Sequence, residues 1–372
     1  MKFVHASDLH LSAAEADYGL AVLAELGSLA QERGARALIL SGDLFDTEAD
    51  LASLYPRFRR ELERVSPEVA IVAISGNHDR LRGKGDLGRF DFGKRIAFVH
   101  AESAAFRLSG AGGEPGLEIL AFPYGTDLSA AAFPEPEATQ GRVLVCHGSV
   151  PELNWLGPEA EEGEGPESLL DTGRLLALKP AYVALGHIHQ GAERRLGESL
   201  FAYPGSCRVW RRGETGPRTA LLVSLSAAEG GAARATTEAL TLKSAGTYRE
   251  IGLALDAEGN LPAAELEAIA REAGSADWLD ISLSGVAQRE EDLNREVEAA
   301  RERLGTACRR AEINAEGVIF LGQDAGCEAA RVYRQRWEAA REALEREHGK
   351  EATLRALEVG LEAIYRARGD AK

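Results

Sequence analysis

Ile71-Val72-Ala73-Ile74-Ser75-Gly76-Asn77-His78-Asp79 is the stretch that decides the fold of this chain. Five small or apolar residues predict a short buried strand. Gly76 lets the backbone turn sharply at its carboxyl end, and Asn77, His78 and Asp79 follow at once. Open α/β sheets hold ligands at that end of their strands. Asn offers a neutral oxygen to a metal; His offers a ligand or a proton. A polar turn between a strand and a helix can look the same, so one Asn-His-Asp carries little weight alone. The weight comes from four further strands that end in the same way.

Lys2–Ala6 runs into Ser7-Asp8-Leu9-His10, and Ala37–Leu40 into Ser41-Gly42-Asp43. Val143–Cys146 runs into His147-Gly148, and Tyr182–Leu185 into Gly186-His187-Ile188-His189. Five of the eight histidines fall at these strand ends; only His5, His100 and His348 lie elsewhere. Turn or capping roles account for any single member, but not for the ordered set. Carboxylate, imidazole and amide donors together suit borderline divalent ions such as Mn²⁺, Fe²⁺ or Zn²⁺. No Cys stands at a clear ligand position, which argues against a structural zinc site. Asp8, His10, Asp43, Asn77, His147, His187 and His189 are too many ligands for one ion and suit two ions sharing a bridge. Ions about 3.5–4 Å apart can clamp a phosphate for in-line displacement. Asp43, with two carboxylate oxygens, is the natural bridge.

Around these strands, Tyr18–Arg33 has helical apolar spacing (Leu20, Leu23, Leu26, Ala30) and stops at Gly34. Ala49–Val65 predicts a second helix and Leu169–Leu178 a third. The pattern is strand–helix early and mostly strand later (Ser199–Tyr203, Ala220–Leu225, Thr236–Leu242). It predicts an α/β sandwich of two sheets with helices outside. Pro151–Ser168, rich in Gly, Pro and Glu, reads as a long exposed loop. Near Ala245-Gly246 the pattern changes to a small β-α-β-α-β unit. Ala329–Arg368 is charged and helix-prone, broken at His348-Gly349. The expected division is 1–245, 246–322 and 323–372.

With 372 residues the chain can hold two domains. Its 45% hydrophobic and 27% charged residues are ordinary for a soluble globular protein. No apolar run approaches a membrane span, and Met1–His10 has no apolar signal region. The four cysteines form no CxxC pair and read as reduced thiols, so a cytoplasmic protein without membrane contact is expected. A net charge of −16 argues against a strongly basic nucleic-acid binder. It leaves room for an enzyme that uses metal ions and a local basic strip. Two such strips flank the strand ends: Arg80, Arg82, Lys84, Arg89, Lys94 and Arg95, then Arg208, Arg211, Arg212 and Arg218. They would track a nucleic-acid backbone or form an ordinary solvated surface. Trp210, between Arg208 and Arg211, would stack on a base or fill a core.

Asp8-x-His10, Gly42-Asp43, Gly76-Asn77-His78-Asp79, Cys146-His147-Gly148 and Gly186-His187-Ile188-His189 together resemble the calcineurin-like metallophosphoesterases. Ser7-Asp8-Leu9-His10, Gly42-Asp43-Leu44-Phe45-Asp46-Thr47, Ala184–His189 and Tyr203-Pro204-Gly205-Ser206 are similar to the bacterial SbcD-like DNA exonucleases, including the YhaO branch. The resemblance covers roughly the first 225 residues, and the rest by arrangement only. It implies a four-layer α/β sandwich, a small C-terminal α/β capping domain and a helical tail. It also implies a two-metal phosphodiesterase acting on DNA, an exonuclease or endonuclease subunit of an SbcCD-like repair complex. One ion, most readily Mn²⁺ with Fe²⁺, Zn²⁺ or Mg²⁺ as alternatives, would take Asp8, His10, Asp43 and His189. The other would take Asp43, Asn77, His147 and His187. A bridging hydroxide would attack the scissile phosphate. His78, beyond the ligands, would bind the phosphate and assist the leaving oxygen. Asp46 would either orient and charge His78 or cap the helix that follows. Arg80 and Arg208 would contact substrate. The implied partner is an SMC-like ATPase of the SbcC/YhaN type, with a homodimer also allowed for. Val332–Leu344 and Leu354–Ile364 would dock on that ATPase or pack on their own domain. A phosphodiesterase or phosphatase for a small nucleotide or phosphoprotein, and a non-catalytic scaffold, are the competing readings.

Overall fold

Continuous apolar runs, with no polar face, mark strands buried on both sides, and the structure is built from such strands. The computed structural model describes residues 1–80, 90, 92–110, 116–128, 140–153, 168–227, 233–256, 258–320 and 327–368. It divides into two compact units, 1–246 and 247–372.

In the first unit, strands β1 (Lys2–Ala6), β2 (Ala37–Ser41), β3 (Ala70–Ile74) and β4 (Ile96–Val99) run parallel. The second sheet comprises β5 (Ala104–Leu108), β6 (Gly116–Phe122), β7 (Gln140–His147), β8 (Tyr182–Gly186), β9 (Ala192–Leu196) and β10 (Ser199–Tyr203). Its order is β5-β6-β7-β8-β10-β9, with β6, β7, β8 and β10 parallel. Strands β11 (Thr219–Ala227) and β12 (Ala233–Thr241) return to the first sheet antiparallel, giving β12-β11-β1-β2-β3-β4.

Side-chain alternation sorts the core into three layers. Phe3, Ile39, Val72 and Ile74 of the first sheet meet Ile119, Val143, Val145 and Tyr182 of the second. On the far side of the first sheet, Val4, Leu38, Leu40 and Ile71 pack under helices α1 (Ala16–Glu32) and α2 (Glu48–Glu63). These helices contribute Leu20, Leu23, Leu26, Leu51, Phe58 and Leu62. On the far side of the second sheet, Leu144, Val183, Leu185 and Phe201 pack with Leu175 of α3 (Thr172–Ala177). Each fully buried Leu, Ile, Val or Phe contributes roughly 1.5–3 kcal/mol. The result is the four-layer sandwich expected from the sequence. Register carries the strand ends level: Ser41 pairs with Ile74, and His147 with Gly186. The polar residues that follow therefore emerge side by side.

Two local readings differ. Helix α3 starts at Thr172, because the Asp171 carboxylate accepts from Arg174 N at 3.1 Å and caps it there. Leu169, expected inside that helix, is exposed. Strand β9 was not anticipated: Glu193, Arg194 and Arg195 are exposed on an edge, so no apolar alternation marks it. Of the loop expected at Pro151–Ser168, residues 154–167 lie outside the described residues.

The second unit holds β13 (Tyr248–Ala254), α4 (Ala263–Glu272), β14 (Trp278–Ala287), α5 (Glu290–Gly305) and β15 (Arg310–Phe320). Its three strands are parallel, and Leu279, Ile281 and Leu283 pack against Leu266, Ile269, Leu293, Val297 and Leu304. Helices α6 (Glu328–His348) and α7 (Lys350–Arg368) are separated at Gly349, whose φ of 84° ends the first. Ala330, Trp337, Leu357 and Leu361 form one cluster with Val286 of β14, and Ile319 of β15 packs against it. The Trp337 indole donates to Thr353 O at 3.0 Å. The helical pair thus shares a core with the α/β unit.

Candidate metal centre

All seven candidate ligands gather at the carboxyl ends of β1, β2 and β3 on one sheet and β7 and β8 on the other. The donor atoms of Asp8, His10 and His189 lie within 4.8 Å of one another, as do those of Asp43, His147 and His187. His10 Nε2 faces His189 Nε2 at 3.2 Å, and Asp8 Oδ1 stands 3.9 Å from His189 Nε2. His147 Nε2 lies 3.0 Å from Asn77 Oδ1 and 3.2 Å from Asp43 Oδ2. His187 Nδ1 lies 3.2 Å from the same Asn77 oxygen. Asp43 Oδ2 is also 4.0 Å from His10 Nε2, so one carboxylate spans both groups.

The donor set fits metal ions. His147 Nδ1 donates to Ser41 O at 2.8 Å, and His189 Nδ1 donates to Glu214 Oε1 at 2.6 Å. Each neutral ring then presents a bare Nε2 lone pair to carboxylate, amide and imidazole acceptors. Acceptors converging on acceptors need a cation, a proton or a metal ion, to hold them. The charges respond accordingly. Burial opposes ionisation of His147, but the charge and contact of Asp43 outweigh it and raise the ring to about 9. Burial likewise opposes the Asp43 carboxylate, yet His147 and His10 hold it well below its ordinary range. His189 is raised against its burial by Glu214, and Glu214 is lowered against its own burial by His189.

The backbone is bent to make this cluster. Asp8 (φ 54°), His10 (42°), Asp43 (49°) and His187 (104°) are left-handed; among the described residues the other non-glycine case is Lys179. Such positions cost about 1–3 kcal/mol each and persist where surroundings enforce them. Here Asp8 N donates to Gly42 O at 3.1 Å, His10 N to Asp43 O at 2.9 Å, and His187 N to Asp8 Oδ1 at 3.1 Å. Gly76 is needed because a Cβ there would lie 2.0 Å from Asp43 Oδ1. Buried Asp79 locks the β2 and β3 loops together: Oδ2 accepts from Leu44 N at 2.8 Å, and Oδ1 from Gly76 N at 2.7 Å. Burial, then the charge of Asp43, raises its carboxyl to about 7.

His78 is half-buried beside the ligands, its ring edge-on to His10 at 4.7 Å. Its backbone N–H donates to Asp43 Oδ1 at 2.9 Å, and its Nδ1 donates to Asp46 O at 2.9 Å. The Asp46 carboxylate stands 3.6 Å from His10 Nδ1 and 3.8 Å from His78 Nδ1. It is lowered first by the His10 ring. Asp46 therefore holds His78 through its carbonyl, and its carboxylate serves both rings. The capping role belongs to Thr47, whose Oγ1 accepts from Asp50 N at 3.1 Å.

The basic strips are less exposed than their sequence suggests. Arg208 is 2% exposed, pairs with Glu15 at 2.9 Å and lies over the Tyr18 ring, so it does not face solvent as a backbone-tracking residue would. Arg218 is also buried, donating to Ser206 Oγ and Thr215 O. Arg95 donates to the carbonyls of Glu63 and Ser66. Arg80 lies over the Tyr124 ring at 5.6 Å, near His147, whose ring is 6.1 Å from that of Tyr124. Arg82, Lys84 and Arg89 lie outside the described residues. Trp210 is neither a core filler nor an open base platform. His10 stacks on it at 3.8 Å and 6°, and the Arg211 guanidinium sits 4.2 Å from its centroid. Two groups that close must occupy opposite faces.

Glu214 is a functional residue that the sequence reading does not find. A ligating histidine needs an acceptor on its other nitrogen. Nothing in the spacing tells which of 59 acidic residues supplies it.

The sequence model of the calcineurin-like phosphoesterase family matches residues 1–191. No curated protein matches the chain. Among solved structures, the chain is similar to a dimetal phosphatase from Danio rerio at 10% identity, covering 65% of this chain and 99% of that one with a TM-score of 0.40. It is also similar to a purple acid phosphatase from yellow lupin (Lupinus luteus) seeds at 14% identity, covering 67% and 52% with a TM-score of 0.42. Family membership rests on the match over residues 1–191, which does not single out a branch. On that match, and with His and Asp clusters suited to two divalent ions, the chain belongs to the calcineurin-like phosphoesterase family.

Proposed function

We propose that the chain is a two-metal phosphodiesterase that cleaves DNA, with Mn²⁺ as its working ion. The observation that carries the hydrolytic part is the convergence of Asp43 Oδ2 on both histidine groups, 3.2 Å from His147 and 4.0 Å from His10. One ion would be held by Asp8, His10, Asp43 and His189, and the other by Asp43, Asn77, His147 and His187. Ions held there would polarise the phosphate and supply a nucleophilic water. The protein's own part is positioning. Strained loops fix the ligands before substrate arrives. His78, with Nδ1–H held by Asp46 O, keeps Nε2 for the phosphate or the leaving oxygen. Trp210 covers His10 and keeps water from that ring.

DNA as substrate is supported by the SbcD-like motifs and by Arg80 and Arg211 around the site. An SMC-like ATPase partner and a cytoplasmic setting belong to the same reading. A second reading, a small nucleotide ester as substrate, is favoured by the inward-turned Arg208 and Arg218, which shorten the basic strip. Incubation with Mn²⁺ and, in parallel, single-stranded DNA, duplex DNA and bis-p-nitrophenyl phosphate separates the two. Cleavage of the small ester without any DNA product would select the second reading. No turnover with any divalent ion would exclude both.

A further inference from the structure

We infer that Glu214 and Trp210 form a bracket that fixes both histidines of one ion position and makes that position the tighter of the two. The inference rests on the ligand assignment proposed above and is independent of the substrate.

Glu214 is buried, and both of its oxygens are committed. Oε1 accepts from His189 Nδ1 at 2.6 Å, and Oε2 accepts from Trp210 N at 2.7 Å. Trp210 in turn lies flat on His10, at 3.8 Å and 6°. The same indole meets His189 at 5.1 Å and the edge of His78 at 5.3 Å. One carboxylate thus holds His189 by a hydrogen bond and His10 through a stacked ring. Those two rings point their Nε2 atoms at each other, 3.2 Å apart.

Among the described residues, His147 of the other position is held differently. His147 donates its Nδ1 proton to a neutral backbone carbonyl, Ser41 O, at 2.8 Å. A carboxylate behind an imidazole makes its far nitrogen more basic than a carbonyl does, and it holds the ring at a fixed angle. Glu214 acts through His189, so it is a positioning residue and not a catalytic one.

The test is Mn²⁺ binding to the metal-free full chain, followed by the paramagnetic resonance of free Mn²⁺. Wild type should take up two ions with unequal affinities. Glu214→Gln should weaken the tighter ion about 10- to 100-fold and leave the other within about twofold. Asn77→Ala should do the reverse. Trp210→Leu, which keeps the Glu214–His189 bond, should weaken the same ion as Glu214→Gln, and it provides the test should Glu214→Gln fail to fold. Unchanged affinities in both bracket variants, or equal weakening of both ions, would overturn the bracket. Uptake of fewer than two ions by wild type would sink the ligand assignment and the bracket with it.

Discussion

Replacing Gly76 by Ala should disable the centre without replacing a ligand. The added Cβ would sit 2.0 Å from Asp43 Oδ1, 2.5 Å from Asp43 N and 2.6 Å from Asp43 Cγ. Optimal carbon contacts are about 3.5 Å or more, so something must move by roughly 1 Å or more. Two of the three clashing atoms belong to a side chain that Gly76 already crowds. The third is backbone at a left-handed residue, which has little room to adjust. Overpacking of this kind costs about 1–3 kcal/mol of stability. A displacement near 1 Å in a reacting centre costs about 100-fold in rate. Gly34→Ala is the control: its glycine is also left-handed (φ 64°), but a Cβ there meets nothing within 4 Å. It should lose about 1 kcal/mol and keep wild-type metal uptake and turnover. Thermal unfolding, Mn²⁺ stoichiometry and hydrolysis of bis-p-nitrophenyl phosphate would be compared for the three proteins. Wild-type affinity and rate in Gly76→Ala would show that Asp43 does not work where its carboxylate is placed.

His78→Ala should lower turnover roughly 100- to 10,000-fold while two ions stay bound; loss of an ion would make His78 a ligand. Asp46→Ala should be much milder for His78, because the contact is the backbone carbonyl; equal losses in the two variants would contradict that. Burial lowers His5 from 6.5 to about 3, with its ring held between Tyr182 and Ser41. The unfolded chain then binds the extra proton first, so stability falls as pH drops from about 6.5 towards 3, by roughly 4–5 kcal/mol in all. Urea titrations of His5→Gln should show a flatter acid limb than wild type, and parallel limbs would refute the assignment. Trp337→Ala should destabilise the second unit by about 3–5 kcal/mol, seen by hydrogen exchange in α6 and α7, with hydrolysis of the small ester unchanged.

Much of this was legible because the chemistry is local in sequence. Each ligand follows within a few residues of an apolar run, and parallel strands bring such run-ends together whatever joins them. Asp8, Asp43, Asn77, His147 and His187 needed only that rule. Glu214 and Trp210 did not obey it. They lie in a loop after β10; Trp210 acts through a ring stacked across some 200 residues of chain, and Glu214 through a hydrogen bond to a histidine 25 residues away. Arg208 misled for a related reason: its partner Glu15 and the Tyr18 ring are brought to it by α1 and the turn before it. A charge that finds a buried partner looks, in sequence, like one that stays in water. Strand β9 was hidden because an edge strand with charged side chains has no apolar alternation to show.

The ligands come from both sheets: β1, β2 and β3 carry Asp8, His10, Asp43 and Asn77, while β7 and β8 carry His147, His187 and His189. Bound ions would therefore act as rivets through the sandwich at one margin. Any opening that parts the sheets there must strip ligands from a cation, so the ions would guard against the first step of unfolding as well as serve turnover. By mass action, each ion present at about 100 times its Kd adds about 2.7 kcal/mol. For such a protein, the metal supply of its surroundings sets how long it survives along with how fast it works.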